Sequence, residues 1–195
     1  MEKRDLNLLQ LMNPIKIKLA STESELFEIK NLQRINLKGN LSESEKKSEG
    51  FLTAEYTLSF LKKINQDSPA IIVKKDKVVG YALAVSKKIG KQNELLNHLI
   101  NEFDKQKYKD INLVNENYIV VGQLCLDKSI RGMGYVEKIY SQFKETYKNY
   151  RYCLTAVDLE NKRSSAIHKK CGFLRIGQLM LNENPGEIIL WDLKN

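Results

Sequence analysis

The sequence predicts one α/β or α+β domain built around a single central mixed sheet. Short apolar segments with strand character outnumber the amphipathic segments with helical spacing along the 195 residues. The chain contains no internal repeat and no linker that would divide it. A chain of this length can bury a sizeable core of its own. We therefore expect one domain over residues 1–195, with residues 1–14 as an N-terminal extension.

The first third of the chain predicts a strand, a helix, a loop and a second helix. Residues 15–20 alternate between apolar and polar, as a half-buried strand does. Thr22 and Glu25 have the spacing of a capping box, and apolar residues follow near helical spacing. Residues 38–50 are polar and rich in Ser, Glu and Lys, which predicts a mobile loop. Residues 53–64 place leucine and isoleucine on one face and predict the second helix.

The middle of the chain predicts a hairpin, a helix and a buried strand. Residues 70–73 and 78–85 are two apolar runs separated by a short polar turn, which predicts a hairpin. Residues 91–103 carry apolar residues at helical spacing, and the polar residues 104–117 predict a surface excursion. Residues 118–126 are nearly all apolar, as a central strand buried on both faces would be.

The last third predicts alternating helices and strands. Val136, Ile139, Tyr140 and Phe143 fall on one face of the helix predicted over residues 134–148, where they form ordinary core. The other predicted elements are a strand at residues 152–157, a helix at 161–171 that Gly172 closes, and strands at 173–181 and 187–193 joined by a turn at 184–186.

The composition predicts a soluble globular protein. Hydrophobic residues make up 42% and charged residues 29% of the chain, which is ordinary for that class. No apolar run approaches the roughly 20 residues that span a bilayer. Residues 1–14 have too little apolar length and no small-residue cleavage site for a signal peptide. We expect a cytoplasmic protein that has no membrane partner.

Cysteine and histidine offer no pattern for a metal. Cys125, Cys153 and Cys171 lie in or beside apolar segments and lack the spacing of metal ligands, which predicts reduced, buried thiols. Neither His98 nor His168 has a local partner pattern for a metal. We expect no metal site.

The net charge of +8 comes mostly from lysines scattered in pairs. A nucleic-acid-binding protein more often has arginines, aromatic residues and a clustered basic stripe. A solvated, lysine-rich surface explains the charge more simply, and part of the excess can attract a polyanionic ligand. We therefore expect no nucleic-acid partner.

A turn at the end of the central strand predicts an anion site. The apolar strand stops at Asp127, the turn Arg131-Gly132-Met133-Gly134 follows, and an amphipathic helix begins. Glycine lets the backbone approach a ligand closely, and the N–H groups and dipole at a helix start favour negative charge. A ligand that carries phosphate is expected there.

The turn alone is a weak signal, because a strand-to-helix turn that needs glycine would look the same. It lacks the Gly-Lys-Ser/Thr of a P-loop and the third glycine of a dinucleotide fingerprint. A second element begins 27 residues beyond Gly134 and follows another apolar strand. It contains Asn161, Ser164, His168, Gly172 and Phe173.

Together the two segments resemble the GNAT superfamily of acyl-CoA-dependent N-acyltransferases. In that family an Arg/Gln-x-x-Gly-x-Gly/Ala turn binds the pyrophosphate of coenzyme A, and a later Asn-x-x-Ala/Ser…Tyr-x-x-x-Gly-Phe helix flanks the thioester. Val136 stands where the family has Gly or Ala, and His168 stands where it has Tyr. The resemblance covers roughly residues 15–193, with specific paired motifs and a looser N-terminal third.

The resemblance implies an acetyl-CoA-dependent N-acetyltransferase in which an amine attacks the thioester directly within a ternary complex. It implies a mostly antiparallel sheet, flanked by helices and splayed between its two central parallel strands. The pantetheine arm would enter between residues 123–126 and 153–157 and pair with the first of these strands. The implied cofactor-binding residues are Leu124, Cys125, Leu126, Arg131, Gly132, Met133, Gly134, Tyr135, Val136, Asn161 and Ser164.

The acid and the base of such a reaction are less defined. His168 is the candidate general acid for the departing thiolate, since an ordinary pKa of ~6.5 suits proton exchange near neutrality. The alternative is a histidine that only fills space and hydrogen-bonds locally. Glu49, Glu55, Tyr56 and Glu116 lie in segments that can border the acceptor side, and a water chain is a further alternative for the base.

Other functions and partners stay open at this level. A non-catalytic acyl-CoA-binding or sensing domain would keep the same turn, and turnover of any amine would distinguish the two. A basic nucleic-acid-binding protein is permitted by the net charge alone. Residues 50–52 are the predicted rim of the acceptor pocket, and the acceptor is an amine of a small molecule or of a protein. A homodimer is also allowed.

Overall fold

The computed structural model describes residues 14–181 and 183–194. The predicted N-terminal extension therefore lies outside the described residues, except for Pro14. Within the described ranges, no helix combines the length and the apolar character needed to cross a bilayer.

The strands of the described chain are β1 (Lys16–Leu19), β2 (Ile71–Lys74), β3 (Val78–Ser86), β4 (Lys107–Tyr108), β5 (Ile111–Asn112), β6 (Ile119–Leu126), β7 (Tyr152–Asp158), β8 (Leu174–Leu181) and β9 (Asn184–Asp192). Seven of them form one sheet with the strand order β1-β2-β3-β6-β7-β9-β8. All neighbours in this sheet are antiparallel except β6 and β7, which confirms the predicted mixed, mostly antiparallel sheet. The two short strands β4 and β5 pair separately.

Amphipathic helices cover both faces of the sheet, because each has one apolar side to bury. The helices are α1 (Glu23–Ile35), α2 (Glu43–Glu49), α3 (Leu58–Asp67), α4 (Lys87–Gly90), α5 (Glu94–Asp104), α6 (Tyr135–Thr146) and α7 (Lys162–Lys170). Helices α1, α3 and α5 pack against one face of the sheet, named here the α1 face, and α6 packs against the other, named the α6 face.

The predicted capping box starts α1. The hydroxyl of Thr22 accepts a hydrogen bond from the Glu25 N–H at 3.2 Å, and the Glu25 carboxylate accepts one from the Thr22 N–H at 3.3 Å. Two of the four N–H groups that a helix start leaves unpaired are thereby satisfied.

The segment 38–50 contains a helix, so the predicted loop was wrong there. Ser42 and Glu45 form a second capping box that starts α2. Ion pairs from Glu45 to Lys128 (2.6 Å) and from Glu49 to Arg131 (2.5 Å) fix this helix across the body of the domain. This helix has few apolar residues, so the periodicity of apolar residues did not indicate it. Its ion-pair partners lie more than 80 residues later in the sequence.

Two predicted boundaries also differ. Helix α3 begins at Leu58 rather than at residue 53, because the hydroxyl of Thr57 caps it. The turn predicted at residues 184–186 was wrong, since Leu181 pairs with Asn184 and the chain reverses before β9 begins. Pro185 is tolerated near the start of β9, where a missing N–H costs little.

The parallel strands separate after two residues, as the resemblance implied. Ile119 pairs with Cys153 and Val120 with Leu154, and the register of β6 with β7 ends there. The hydroxyl of Thr155 donates to the carbonyl oxygen of Val121 at 2.8 Å and forms the last link between the two strands. Beyond it, a gap opens between the carboxyl ends of β6 and β7.

A β-bulge lies on β6 where the gap begins. Leu83 pairs with Gln123 and Ala84 with Val121, so Gly122 has no partner on β3. A Cβ atom at Gly122 would lie 2.8 Å from the side chain of Val85, which explains why glycine occupies the bulge. A bulge bends its strand, and the pairing of β6 with β7 ends at Val120, just before this bulge.

Candidate active site

The turn between β6 and α6 has the backbone of an anion site. Gly132 and Gly134 both adopt positive φ, at 77° and 75°, a conformation that side chains with a Cβ rarely adopt. Gly134 is the N-cap of α6 and provides no side-chain cap, so the first N–H groups of this 12-residue helix are open to a ligand. Apart from each glycine's chain neighbours, no atom of the described residues lies within 4 Å of a Cβ built on either position. The turn over residues 131–134, named here the phosphate turn, thus fits a phosphate group.

A cavity of about 390 Å³, named here the turn cavity, lies against this turn. All the predicted cofactor-binding residues line it except Met133, whose side chain points outward and is 61% exposed. The opposite wall comes from the N-terminal third of the chain, through Asn36, Glu49, Gly50 and Phe51. The motifs did not indicate this wall, because its residues lie about 80 positions or more before the turn.

The side chain of Arg131 binds the protein itself. Its guanidinium donates to the carbonyl oxygen of Leu126 (2.9 Å), to the Glu49 carboxylate (2.5 Å) and to the side-chain oxygen of Asn36 (2.7 Å). The hydrogen bond from Arg131 lowers the pKa of Glu49. Arg131 thus ties α2 to the phosphate turn, and the turn itself offers backbone N–H groups.

Asn161 joins both walls of the turn cavity. As the N-cap of α7, it accepts a hydrogen bond from the Ser164 N–H at 3.2 Å, while its amide donates to the carbonyl oxygen of Phe51 at 2.9 Å. Gly50 has a φ of 75°, and a Cβ there would lie 2.9 Å from the Asn161 side-chain oxygen. The predicted rim at residues 50–52 therefore rests directly on the second motif.

The end of β6 supplies the floor between the motifs. Leu124 and Leu126 line the turn cavity, and their backbone lies beyond the last pairing with β7. The thiol of Cys125 packs in the core of the α1 face, where burial raises its pKa to about 12. A thiol with this pKa stays protonated at neutral pH, which excludes it as a nucleophile there.

A second cavity of about 100 Å³ passes through the sheet between β6 and β7 and is named here the gap cavity. Its wall includes Tyr56 and Leu99 from the α1 face and His168 from the α6 face. It shares Leu124, Asn161 and Ser164 with the turn cavity, together with residues 51 and 52. Ligands entering from opposite faces of the sheet would therefore meet at these shared residues.

Buried hydrogen bonds hold the bulged part of β6. The side-chain oxygen of Gln123 accepts from the Gln33 amide and from the Tyr81 hydroxyl, each at 2.7 Å, and its amide donates to the carbonyl oxygen of Ala54 at 2.8 Å. The Tyr56 hydroxyl lies 3.3 Å from the Gly122 carbonyl oxygen. A satisfied buried network of this kind is rigid, so it fixes the β6 backbone at the gap.

His168 lies at the gap but is enclosed, with 4% of its surface exposed. Its Nδ1 lies 2.8 Å from the carbonyl oxygen of Ser164, which can only accept, so Nδ1 carries the proton. Its Nε2 lies 2.7 Å from the hydroxyl of Tyr140 and accepts from it. Burial lowers the pKa of His168 to about 4, so the ring is neutral at pH 7. The general-acid role stays a prediction, and here neither nitrogen presents a proton to the cavities.

The acceptor-side candidates from the sequence lie in different places. Glu49 pairs with Arg131, and Glu55 pairs with Lys30. Tyr56 lines the gap cavity, and burial raises its pKa, so it remains protonated.

Glu116 does not line either cavity, whereas Asp158, which the sequence reasoning missed, lines the gap cavity. Its position directly after a predicted buried strand was a usable signal, because ligands bind beyond the carboxyl ends of parallel strands. Among the described residues, no cluster of three or more His, Cys, Asp or Glu side chains is placed to hold a metal.

Comparisons with known proteins place this geometry in a family. The acetyltransferase (GNAT) family model matches residues 40–173, more than half of the chain. A comparison with curated protein sequences gives no match.

Solved structures share the fold at low sequence identity. The chain is similar to a GNAT-family acetyltransferase from Streptococcus agalactiae (TM-score 0.62, 14% identity, 91% of this chain and 95% of the other). It is also similar to Arabidopsis thaliana NAA60 in complex with acetyl-CoA (0.62, 11%, 92% and 99%) and to a chain of the NatC complex bound to Gag peptide and CoA (0.61, 13%, 91% and 98%). At these identities the likeness shows the fold. With the family match across both motifs, it follows that the chain belongs to the acetyltransferase (GNAT) family.

Proposed function

We propose that this protein transfers an acetyl group from acetyl-CoA to a primary amine by direct attack within a ternary complex. Membership of the family supports acyl transfer as the reaction class. The observation that carries the proposal is the junction of the two cavities at Leu124, Asn161 and Ser164. A thioester that lies along β6 from the phosphate turn and an amine that enters through the gap would meet at this junction.

The residues of the turn cavity fit coenzyme A. The open N–H groups after Gly134 and the free space above Gly132 suit a pyrophosphate. The β6 backbone from Gln123 to Leu126 lies beyond its pairing with β7, which leaves room for a partner that bonds like a strand. Acetyl-CoA would supply the acetyl thioester, and the similar Arabidopsis thaliana structure contains that molecule.

The chain's own contribution would be alignment and exclusion of water. Holding two reactants in attack geometry can replace much of the barrier of a bimolecular reaction, and backbone N–H groups can stabilise the developing oxyanion. The buried hydrogen bonds of Gln123 keep the β6 backbone rigid where such donors are needed. A thiolate is a fairly good leaving group, so transfer does not require an acid at His168.

Binding and turnover test the proposal separately. We expect CoA and acetyl-CoA to raise the melting temperature of the full chain by mass action. We also expect acetyl-CoA plus a panel of primary amines to release free thiol faster than acetyl-CoA alone. Absence of CoA binding by calorimetry at about 1 mM would contradict the whole proposal.

A second candidate is a non-catalytic acyl-CoA-binding domain. The enclosed hydrogen bonds of His168 favour it, since the position of the family's Tyr holds no free proton donor. CoA binding without thiol release for any amine in the panel would support this candidate over acetyl transfer.

A further inference from the structure

The gap cavity has a carboxylate in its wall to which the proposed reaction gives no role. Asp158 is the only acidic residue among the described residues that line this cavity. It ends β7, where Leu154 and Ala156 point to the α1 face. Because side chains alternate along a strand, Asp158 points to the same face, from which the acceptor would enter. The residue is 3% exposed, so its charge is largely removed from water.

The Asp158 carboxylate has acceptor capacity left. One oxygen accepts the Glu160 N–H at 2.8 Å. The other lies 3.5 Å from the Lys38 ammonium, which is much closer to the Glu160 carboxylate, at 2.7 Å. The hydrogen bond from Glu160 raises the pKa of Lys38, as expected if Glu160 is its main partner. An ionised carboxylate can accept about four hydrogen bonds, so a second cation fits beside Lys38.

The other walls of the gap cavity are apolar or neutral. Leu95 and Leu99 of α5 and Leu181 of β8 form its apolar side. Tyr56 and His168 are its other titratable groups, and burial keeps both neutral near pH 7 by raising the pKa of Tyr56 and lowering that of His168.

The charges around Asp158 come from few side chains. Lys38 pairs with Glu160 at 2.7 Å and approaches Asp158 to 3.5 Å, and neither Lys38 nor Glu160 lines the cavity. Glu187 of β9 lies opposite Val157 in the sheet, and the Val157 side chain packs on the α6 face. The Glu187 side chain therefore lies on the α6 face, where it acts on His168 and not on Asp158. The wall thus presents one carboxylate among neutral polar and apolar side chains.

We propose that Asp158 binds the acceptor as a primary ammonium ion carried on an apolar chain and removes one of its protons. The proposal rests on the acetyl transfer proposed above and names the acceptor's chemical class and the group that activates it. A buried carboxylate stabilises an ammonium ion strongly, and the leucines favour acceptors with an apolar chain.

The step balances as follows. The ammonium nitrogen gives one proton to the Asp158 carboxylate, which passes it to water, and the freed electron pair forms the nitrogen–carbon bond to the acetyl group. The carbon–sulfur bond breaks with its electron pair on sulfur. A second proton from nitrogen ends on the thiolate, and the third stays on the amide product.

Binding of two probes of equal size tests the ammonium site on the full chain without cofactor. We expect n-butylammonium to bind the wild type at least about tenfold more tightly than 1-butanol, by calorimetry or ligand-observed NMR. The net charge of +8 works against this preference, so a cation must be attracted locally. Asp158→Asn should abolish it, and its amide oxygen can still accept the Glu160 N–H. Equal binding of the probes by the wild type, or binding of neither, overturns the proposal.

Two further variants distinguish an effect of the Asp158 charge on probe binding from an effect on folding. Glu23→Gln removes an exposed carboxylate of α1 that pairs with Lys62 and does not line the gap cavity, so it should keep the preference. Leu95→Lys places a cation in the cavity wall away from the β7–α7 turn and should abolish the preference even if Asp158→Asn fails to fold. A preference that survives in Asp158→Asn or in Leu95→Lys overturns the proposal.

Kinetics test the proton transfer. With acetyl-CoA and n-butylamine, Asp158→Asn should lower kcat/KM at pH 7 by at least about a hundredfold. The loss should shrink as the pH rises toward about 10.5, because the neutral fraction of a primary alkylamine grows there. Equal pH profiles of variant and wild type, or no thiol release by the wild type, overturn the proton transfer. Failure of acetyl transfer itself would appear as absence of CoA binding by the wild type, or as CoA binding without thiol release for any amine of the panel. The butylammonium measurement depends on neither result.

Discussion

The hydroxyl of Tyr140 lies 2.7 Å from Nε2 of His168, in the core between α6 and α7. The rings of Phe173 and Trp191 pack around this pair, with centroids 5.2 and 5.7 Å from that of Tyr140. The hydrogen bond therefore links two helices that flank the turn cavity, and it holds the imidazole at the position where the family carries Tyr.

A double-mutant cycle should detect this pair. Tyr140→Phe leaves Nε2 of His168 without its donor, and His168→Phe leaves a buried hydroxyl unpaired, so each should cost about 1–3 kcal/mol of unfolding free energy in urea. The double variant should cost less than the sum, because both polar groups are then gone. Strict additivity would show that the hydrogen bond does not contribute to stability. Tyr150→Phe, on a partly exposed tyrosine near the end of α6, is the control.

His168 should also make the stability depend on pH. Its pKa is about 4 in the folded chain against an ordinary value of 6.5. Between these values the unfolded chain binds a proton that the folded chain does not, so the unfolding free energy should fall as pH falls from 6.5 toward 4. Above pH 6.5 the contribution is complete, and its total is about 3 kcal/mol. Urea denaturation at pH 4.5, 5.5 and 7 should give a flatter profile for His168→Phe, and identical slopes would contradict the shift.

The phosphate turn should tolerate no side chain at Gly134. Gly134→Ala puts a Cβ into a positive φ and into the space above the turn, at a cost of about 1 kcal/mol of stability. Gly134→Asp adds a negative charge and should abolish the rise in melting temperature that CoA causes. Gly39→Ala is the matched control, since it has ordinary φ and no atom within 4 Å of its Cβ. Normal CoA binding by Gly134→Asp would show that the phosphate turn does not bind CoA.

The ion pair of Glu49 and Arg131 should weaken anion binding. Glu49 places a carboxylate beside two cations of the turn cavity, 2.5 Å from Arg131 and 3.6 Å from Arg163. Glu49→Gln should tighten CoA binding by about two- to fivefold, with a steeper loss of affinity in salt.

The control for this prediction lies on the same helix. Glu43→Gln removes an exposed carboxylate of α2 that pairs with Lys46, so CoA affinity should stay unchanged. Weaker CoA binding by Glu49→Gln would instead show that the ion pair mainly holds the cavity wall in place.

Short sequence patterns were enough to predict much of the secondary structure and the family motifs of this protein. The alternation in residues 15–20, the capping box of Thr22 and Glu25 and the apolar run before Asp127 each depend on neighbours within one turn or strand. The spacing of Gly134 and Asn161 likewise indicated the family and the turn where a phosphate would bind. Such features are local, so backbone geometry and hydrophobic periodicity are enough to predict them.

Only the tertiary structure decided which groups meet across the site. Glu49 reaches Arg131 over 82 positions, and Asn161 reaches Phe51 over 110. The sequence indicated His168 as a candidate general acid, but the side chain is buried and bonded to the Tyr140 hydroxyl. The sequence reasoning did not select Asp158, which lines the gap cavity. Charge, exposure and hydrogen bonding depend on residues far away in sequence that the fold brings together. The sequence therefore indicated the chemistry of the phosphate turn, and the packing of distant segments determined which side chains line the gap cavity.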